Sequence, residues 1–226
     1  MAYFNQNFID FFKGLAANNS KDYFDEYRKV YIKEVKEPFQ ALLMDAASSI
    51  GEFEPAVKKM ELKNSMFRIN RDIRFSKDKT PYNLHVSAVV SPYGRKDMQY
   101  PGLYIHLSVE MCHLGGGMYM PDKENLSKIR QAIIDDPKAY NKAGNDPHFK
   151  KVYGQLVEGD KNKILPKEFK EYGEQYPALF NKQFYYMQEY DGEKNVMRED
   201  LLDFVVDHYK AGQSWNKWFK KAMNLK

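Results

Sequence analysis

Between Phe67 and His85 the chain reads FRINRDIRFSKDKTPYNLH. Apolar and polar residues alternate from Phe67 to Phe75, which predicts a strand with one buried face. Arg68, Asn70, Asp72 and Arg74 then project together. Two guanidiniums beside an amide can hold a phosphate or carboxylate in bidentate fashion. Ser76, Lys77, Asp78, Lys79 and Thr80 follow as a loop closed by Pro81. Arg68, Arg71, Arg74, Ser76, Lys77, Lys79 and Tyr82 form the candidate anion-binding set. The opposing reading is a salt-bridged network in which Asp72 and Asp78 neutralise the same cations and only hold the fold. Arg71 interrupts the apolar face. An unpaired buried charge is very costly, so Arg71 must find an acid, a run of carbonyls or a ligand.

Three histidines, His85, His106 and His113, fall in one predicted sheet region. His85 and His106 are the candidate acid/base groups should the protein be an enzyme, a question the sequence leaves open. Tyr104, His106 and Glu110 share one face of a strand predicted over 103–111, an arrangement suited to proton transfer or to half a metal site. Neither His-Glu-x-x-His nor Cys-x-x-Cys occurs, so no metal and no cofactor is expected. Cys112 and His113 are adjacent on a strand and point to opposite faces, which argues against a thiolate–imidazole pair. Ser76-Lys77-Asp78-Lys79 matches Ser-x-x-Lys, but it lacks the helix and the companion motifs of the enzymes that use it. Gly115-Gly116-Gly117 lacks the residues of a phosphate loop and reads as a bulge or a close approach of another backbone, with a groove over the sheet as the alternative. Trp215, Trp218 and Phe219 read as a helix packing face.

The elements that must position these residues follow from periodicity. Phe8, Phe11, Phe12, Leu15 and Ala16 have helical spacing. Asn19 or Ser20 caps a second helix carrying Tyr23, Phe24, Tyr27, Val30 and Tyr31. Pro38 kinks or breaks it, and a helical face from Phe39 to Ile50 ends at Gly51. HVSAVVS (85–91) and LYIHLSVEM (103–111) read as strands joined by a Pro/Gly-rich loop, with LGGGMYMP as a further strand after a glycine bend. Asp122, Asp136 and Asp146 each cap a helix. KQFYYMQEYD is a late strand, and two helices close the chain. The expected fold is α+β, a mostly antiparallel sheet flanked by N-terminal and C-terminal helices. It is read as a single domain over 1–226, helical over 4–51, sheet over 60–120, and helical with one late strand over 121–226.

The 226 residues include 17 Tyr and 15 Phe, enough for a large aromatic core. The one cysteine permits no internal disulfide. No stretch approaches the roughly 18 apolar residues of a membrane span, and the first residues lack a basic leader. A cytoplasmic location with no membrane partner is expected. The net charge of +4 is uneven: from Lys58 to Lys96 ten Lys/Arg face three acids, a local +7 that leaves −3 for the remainder. Such a field favours anionic partners.

The stretches LAANNSKDYFDEYR, FRINRDIRFSKDKTPYNLH and GLYIHL…LGGGMYMP give the chain a resemblance to the bacterial family called domain of unknown function 2461, over about Phe8 to the final helices. The resemblance implies one full-length domain and no established activity. The chain departs from the family pattern at Asn70, where a Tyr is expected, and at Ser108, Val109 and Glu110, where an acid and a Pro-Gly turn are expected. The leading expectation is a protein that binds an anionic small molecule, bearing phosphate or carboxylate, in a basic groove. One alternative is a nucleic-acid-binding module that stacks bases on Tyr82, Tyr93 and Tyr100, against which the modest net charge counts. The other is a structural or partner-binding protein. The oligomeric state is left open.

Overall fold

The computed structural model describes residues 2–225. In chain order the helices of the first part are α1 (Gln6–Ala17), α2 (Lys21–Glu26), α3 (Arg28–Val30), a π-helical turn over Tyr31–Lys36, α4 (Glu37–Gly51) and the short α5 (Leu62–Ser65). Strands β1 (His85–Val90), β2 (Leu103–Ser108) and β3 (Met111–Met118) follow, then α6 (Lys123–Asp135), α7 (Pro137–Gly144) and α8 (Pro147–Tyr153). Strand β4 (Phe184–Asp191) precedes α9 (Gly192–Val196), α10 (Leu201–Ala211) and α11 (Gln213–Ala222). The four strands form one antiparallel sheet in the order β1-β2-β3-β4, so the fold is α+β as the sequence predicts. Among the described residues no helix is long and apolar enough to cross a membrane.

The helix signals in the sequence act as expected. Ser20 accepts from the Tyr23 N–H, and Asp122, Asp136 and Asp146 accept from the N–H groups of Asn125, Ala139 and Phe149. Pro38 neither breaks nor ends its helix. Having no N–H to donate, it forces a register change upstream. The Glu37 N–H reaches back to the Ile32 carbonyl, and the widened turn Tyr31–Lys36 carries the helix onward into α4.

Two sheet expectations need correction. Residues 67–75 form no strand. Its backbone pairs with the following segment only through isolated antiparallel bridges, Met66 to Ala88 and Asn70 to Tyr82. Its alternation anchors just one apolar side chain firmly: Ile69 is buried, while Phe67 is 39% and Phe75 is 96% exposed. The stretch 103–111 is not one strand either. Val109 and Glu110 form a two-residue turn between β2 and β3, and the Ser108 hydroxyl closes it by accepting from the Met111 N–H and donating to the Met111 carbonyl. The glycines therefore lie inside β3 rather than before a new strand.

The chain packs as two compact units. The first comprises Met1–Lys96, Tyr104–Leu114 and Glu189–Val206. Its core is built from Phe8, Phe12 and Leu15 of α1, from Phe39, Leu42 and Leu43 of α4, and from Ile105 and Leu107 of β2, all fully buried or nearly so. Cys112 is buried, and loss of solvation pushes its thiol pKa up to about 12. The second unit comprises Asp97–Leu103, Gly115–Gln188 and Asp207–Lys226. Phe149, Phe184, Tyr186, Trp215 and Phe219 dominate its core, which places both tryptophans in a packing face. The three glycines are close approaches: a Cβ would lie 2.4 Å from the Tyr186 carbonyl oxygen at Gly115, 2.4 Å from that of Gly102 at Gly116, and 2.6 Å from that of Phe184 at Gly117, whose φ is +87°.

Candidate functional site

The two-residue turn fixes the register of the β2–β3 hairpin. With Ser108 opposite Met111, His106 stands opposite His113. Strand neighbours on one face lie about 4.8 Å apart, so the rings stack. His85 and His106 have centroids 4.0 Å apart, and His106 and His113 5.0 Å, with interplanar angles of 25° and 28°. The row ends on β4, where Glu189 Oε2 lies 2.9 Å from His113 Nε2. The Tyr104 hydroxyl is 3.3 Å from His106 Nδ1. Burial and the neighbouring imidazoles push the pKa of His106 down to about 3, and burial also lowers that of His85. His106 is therefore neutral at physiological pH. Among the described residues no group of three or more His, Cys, Asp or Glu is placed to hold a metal ion.

Glu110, expected beside His106 on one strand face, sits instead in the turn. It meets His106 only as a wall of a pocket of about 290 Å³ that Lys13, Leu84 and His85 also line. Glu189 is the acid that completes the row. The period-two pattern of the late strand carries that signal, but pairing across β3 and β4 is not encoded locally.

The candidate anion set is not brought together as one clamp. Arg74 turns back on Asp72 with Nε 2.9 Å and Nη2 2.7 Å from its carboxylate oxygens. Lys79 donates to the Ile73 carbonyl at 2.9 Å. Arg71 finds both partners its position demands: Nη1 lies 2.5 Å from Asp78 Oδ2 and 3.1 Å from the Thr80 carbonyl oxygen, and it also bonds the Thr80 hydroxyl. The Thr80 N–H and the Arg71 guanidinium hold the Asp78 pKa down to about 2. Tyr82 is buried, stacked 4.3 Å from Phe24. Tyr100 is buried as well, so of the three candidate stacking tyrosines only Tyr93 presents its ring to solvent. Ser76 is half-buried and Lys77 exposed, and neither lines a pocket of the groove.

Arg68 behaves differently. Among the described residues its guanidinium makes no hydrogen bond or ion pair, although its charge helps to lower the pKa of Asp72. It lies on the wall of two neighbouring pockets. One, of about 430 Å³, is lined by Arg68, Arg71, Asn83, His85, Ser87 and Tyr104. The other, of about 570 Å³, brings Arg68 together with Arg28, Lys36, Lys63 and Arg95 beside Phe24, Tyr31 and Phe67, and no carboxylate lines it. Arg28 and Lys63 have acid partners, Asp25 and Glu61. Lys36, Arg68 and Arg95 have none within ion-pair distance among the described residues, although Arg95 Nε donates to the Met66 carbonyl at 2.9 Å. Tyr31 and Lys36 are the first and last residues of the π-helical turn. The pocket was half legible in the sequence. Arg68, Lys63 and Arg95 lie in the +7 segment, whereas Arg28 and Lys36 come from helices with no unusual charge.

The model of a family described as "conserved hypothetical protein (DUF2461)" matches residues 7–218. The chain belongs to that family. The match takes in the histidine row, the Arg71 lock and every residue lining the basic pocket. No curated protein and no solved structure matches the chain.

Proposed function

We propose that this DUF2461 chain binds a small molecule carrying a phosphate or carboxylate beside an apolar or aromatic group. The observation that carries the reading is the pocket of about 570 Å³ walled by Arg28, Lys36, Lys63, Arg68 and Arg95 with no carboxylate among its lining residues. Arg28 and Lys63 are paired with Asp25 and Glu61, but Lys36, Arg68 and Arg95 have no acid partner and together raise the local positive potential. An anion is drawn to that potential, and a guanidinium without an acid partner has its donor fork free for it. Phe24, Tyr31 and Phe67 give the rest of the molecule an apolar wall. The reading stops at binding. A histidine with a pKa near 3 is far from the range in which general acid–base catalysis is efficient.

Thermal shift with inorganic phosphate, phenyl phosphate and citrate tests it. Phenyl phosphate is expected to raise the melting temperature of wild type and of Arg74→Ala, whose guanidinium is spent on Asp72, but not of Arg68→Ala or Arg95→Ala. Equal responses from wild type and Arg68→Ala, or no response from wild type, would overturn the proposal.

A further inference from the structure

Within the second unit, Trp215 on α11 is 3% exposed, and its indole Nε1 is a buried donor with no hydrogen-bond partner. Leaving such a group unpaired carries its full desolvation penalty, and a buried Trp N–H ordinarily finds an acceptor. The same side chain lines a pocket of about 250 Å³ with Tyr140, Phe149, Leu156 and Val157 and with the polar Gln155 and Asn181. Gly144, at the end of α7, faces the edge of the indole that carries the nitrogen. A Cβ there would lie 3.1 Å from Cζ2 and 3.9 Å from Cε2, the carbon bonded to Nε1. Tyr140 packs edge-on against Trp215 at 5.0 Å. Its hydroxyl has no hydrogen-bond partner among the described residues, and burial alone pushes its pKa up to about 12. Lys161 and Glu158, which also line it, are 3.8 Å apart, so the charges among the lining residues cancel.

We infer that this pocket is a second binding site, for a small planar ring bearing a carbonyl or carboxylate oxygen. Tyr140, Phe149, Trp215, Leu156 and Val157 give the pocket an aromatic and aliphatic wall, which suits a ring. An apolar cavity of about 150 Å³ is enough to admit benzene, so about 250 Å³ takes one ring with a substituent. The amides of Gln155 and Asn181 and the Lys161–Glu158 pair offer donors and acceptors alike, but the buried polar atom left without a partner in the lining is a donor, the Trp215 indole N–H, so the ligand it selects supplies an acceptor. A Cβ at Gly144 would press on the Trp215 ring, 3.1 Å from Cζ2, and so displace the indole that carries the donor. The site lies in a different unit from the basic pocket, and its chemistry is different: a buried donor in an aromatic slot instead of a cluster of fixed cations.

The test is an amide and indole ¹H–¹⁵N correlation spectrum of the full chain, titrated with benzamide and, separately, with benzoate to millimolar concentration. Trp215 and Trp218 give two indole signals, assigned with Trp215→Phe, which keeps a flat ring and removes the donor. The expected result is a downfield shift of the Trp215 indole proton with at least one probe, and a shift at least severalfold smaller for Trp218. Gly144→Ala, a substitution that a helix end accepts, is expected to weaken the response at least tenfold while leaving the rest of the spectrum in place. A response to both probes assigns a carbonyl acceptor, and a response to benzoate alone assigns a carboxylate. No shift of the Trp215 signal with either probe, or an undiminished response in Gly144→Ala, would overturn the site.

Discussion

The side chain of Asn19 pairs with the backbone of Tyr82 as a strand would. Its amide nitrogen donates to the Tyr82 carbonyl at 2.9 Å, and its oxygen accepts from the Tyr82 N–H at 3.1 Å. The sequence offers Asn19 and Ser20 as alternative helix caps. Ser20 caps, which leaves Asn19 free to tie the 66–84 segment to the start of α2. Asn19→Ala breaks both bonds and leaves a partly buried peptide unpaired. It is expected to cost about 1–3 kcal/mol in chemical denaturation. Asn19→Asp keeps the acceptor and loses the donor, and should fall between the two.

The histidine row makes stability depend on pH. The pKa values of His85 and His106 are lowered in the folded state, so between about 6.5 and about 3 the unfolded chain binds more protons. Their contribution is complete above the unfolded value near 6.5 and is lost as the pH falls toward 3. The denaturation midpoint of wild type is expected to drop steadily across that window. In His106→Gln, which keeps a polar side chain at the centre of the row, the slope should be visibly shallower. An unchanged slope would remove the stacked imidazoles as its source.

The Arg71–Asp78 lock is expected to govern access to the loop. With the carboxylate pKa held near 2, the pair stays charged at any ordinary pH. Its stabilisation is present above about 3.8 and disappears as the pH falls toward 2. At neutral pH, Arg71→Gln and Asp78→Asn should both accelerate tryptic cleavage after Lys77 or Lys79, and the double variant should be no faster than either single one. Faster cleavage in the double variant would mean that the two residues act separately.

Gly117 combines a φ of +87° with a Phe184 carbonyl oxygen 2.6 Å from where a Cβ would stand. Gly117→Ala is therefore expected to destabilise by about 2–3 kcal/mol, from backbone strain and the clash together. Gly154→Ala is the control. There φ is +74° and no heavy atom lies within 4 Å, so only strain remains and the loss should be smaller.

How far the sequence could be read depends on where the determining interactions lie. Helices and caps are specified within a few residues, and Ser20, Asp122, Asp136 and Asp146 all act where they are predicted. The segment 67–75 misleads because alternation records which positions lean inward and says nothing of whether a partner strand is present. Tyr82 meets Asn70 in a single bridge, its other edge is taken by the Asn19 side chain just before α2, and Ile69 alone is firmly buried. The hairpin turn is hidden because Val109 and Glu110 continue the alternation of β2. The excess charge at Arg71 is legible as a demand for partners, and Asp78 and Thr80 meet it. The choice of Arg68 as the unpaired cation depends on short-range competition for acids. Asp72 goes to Arg74 and Asp78 to Arg71, and no composition argument reaches that.

The chain's single thiol, buried on strand β3, can serve as a clock. An aromatic disulfide reagent meets Cys112 only when β3 parts from what covers it, and the raised pKa keeps the thiol unreactive until then. The rate of labelling under native conditions thus counts openings of the strand that carries His113. A ligand seated against Arg68 that slows the labelling would show, without any mutation, that occupying the basic pocket quiets the histidine row.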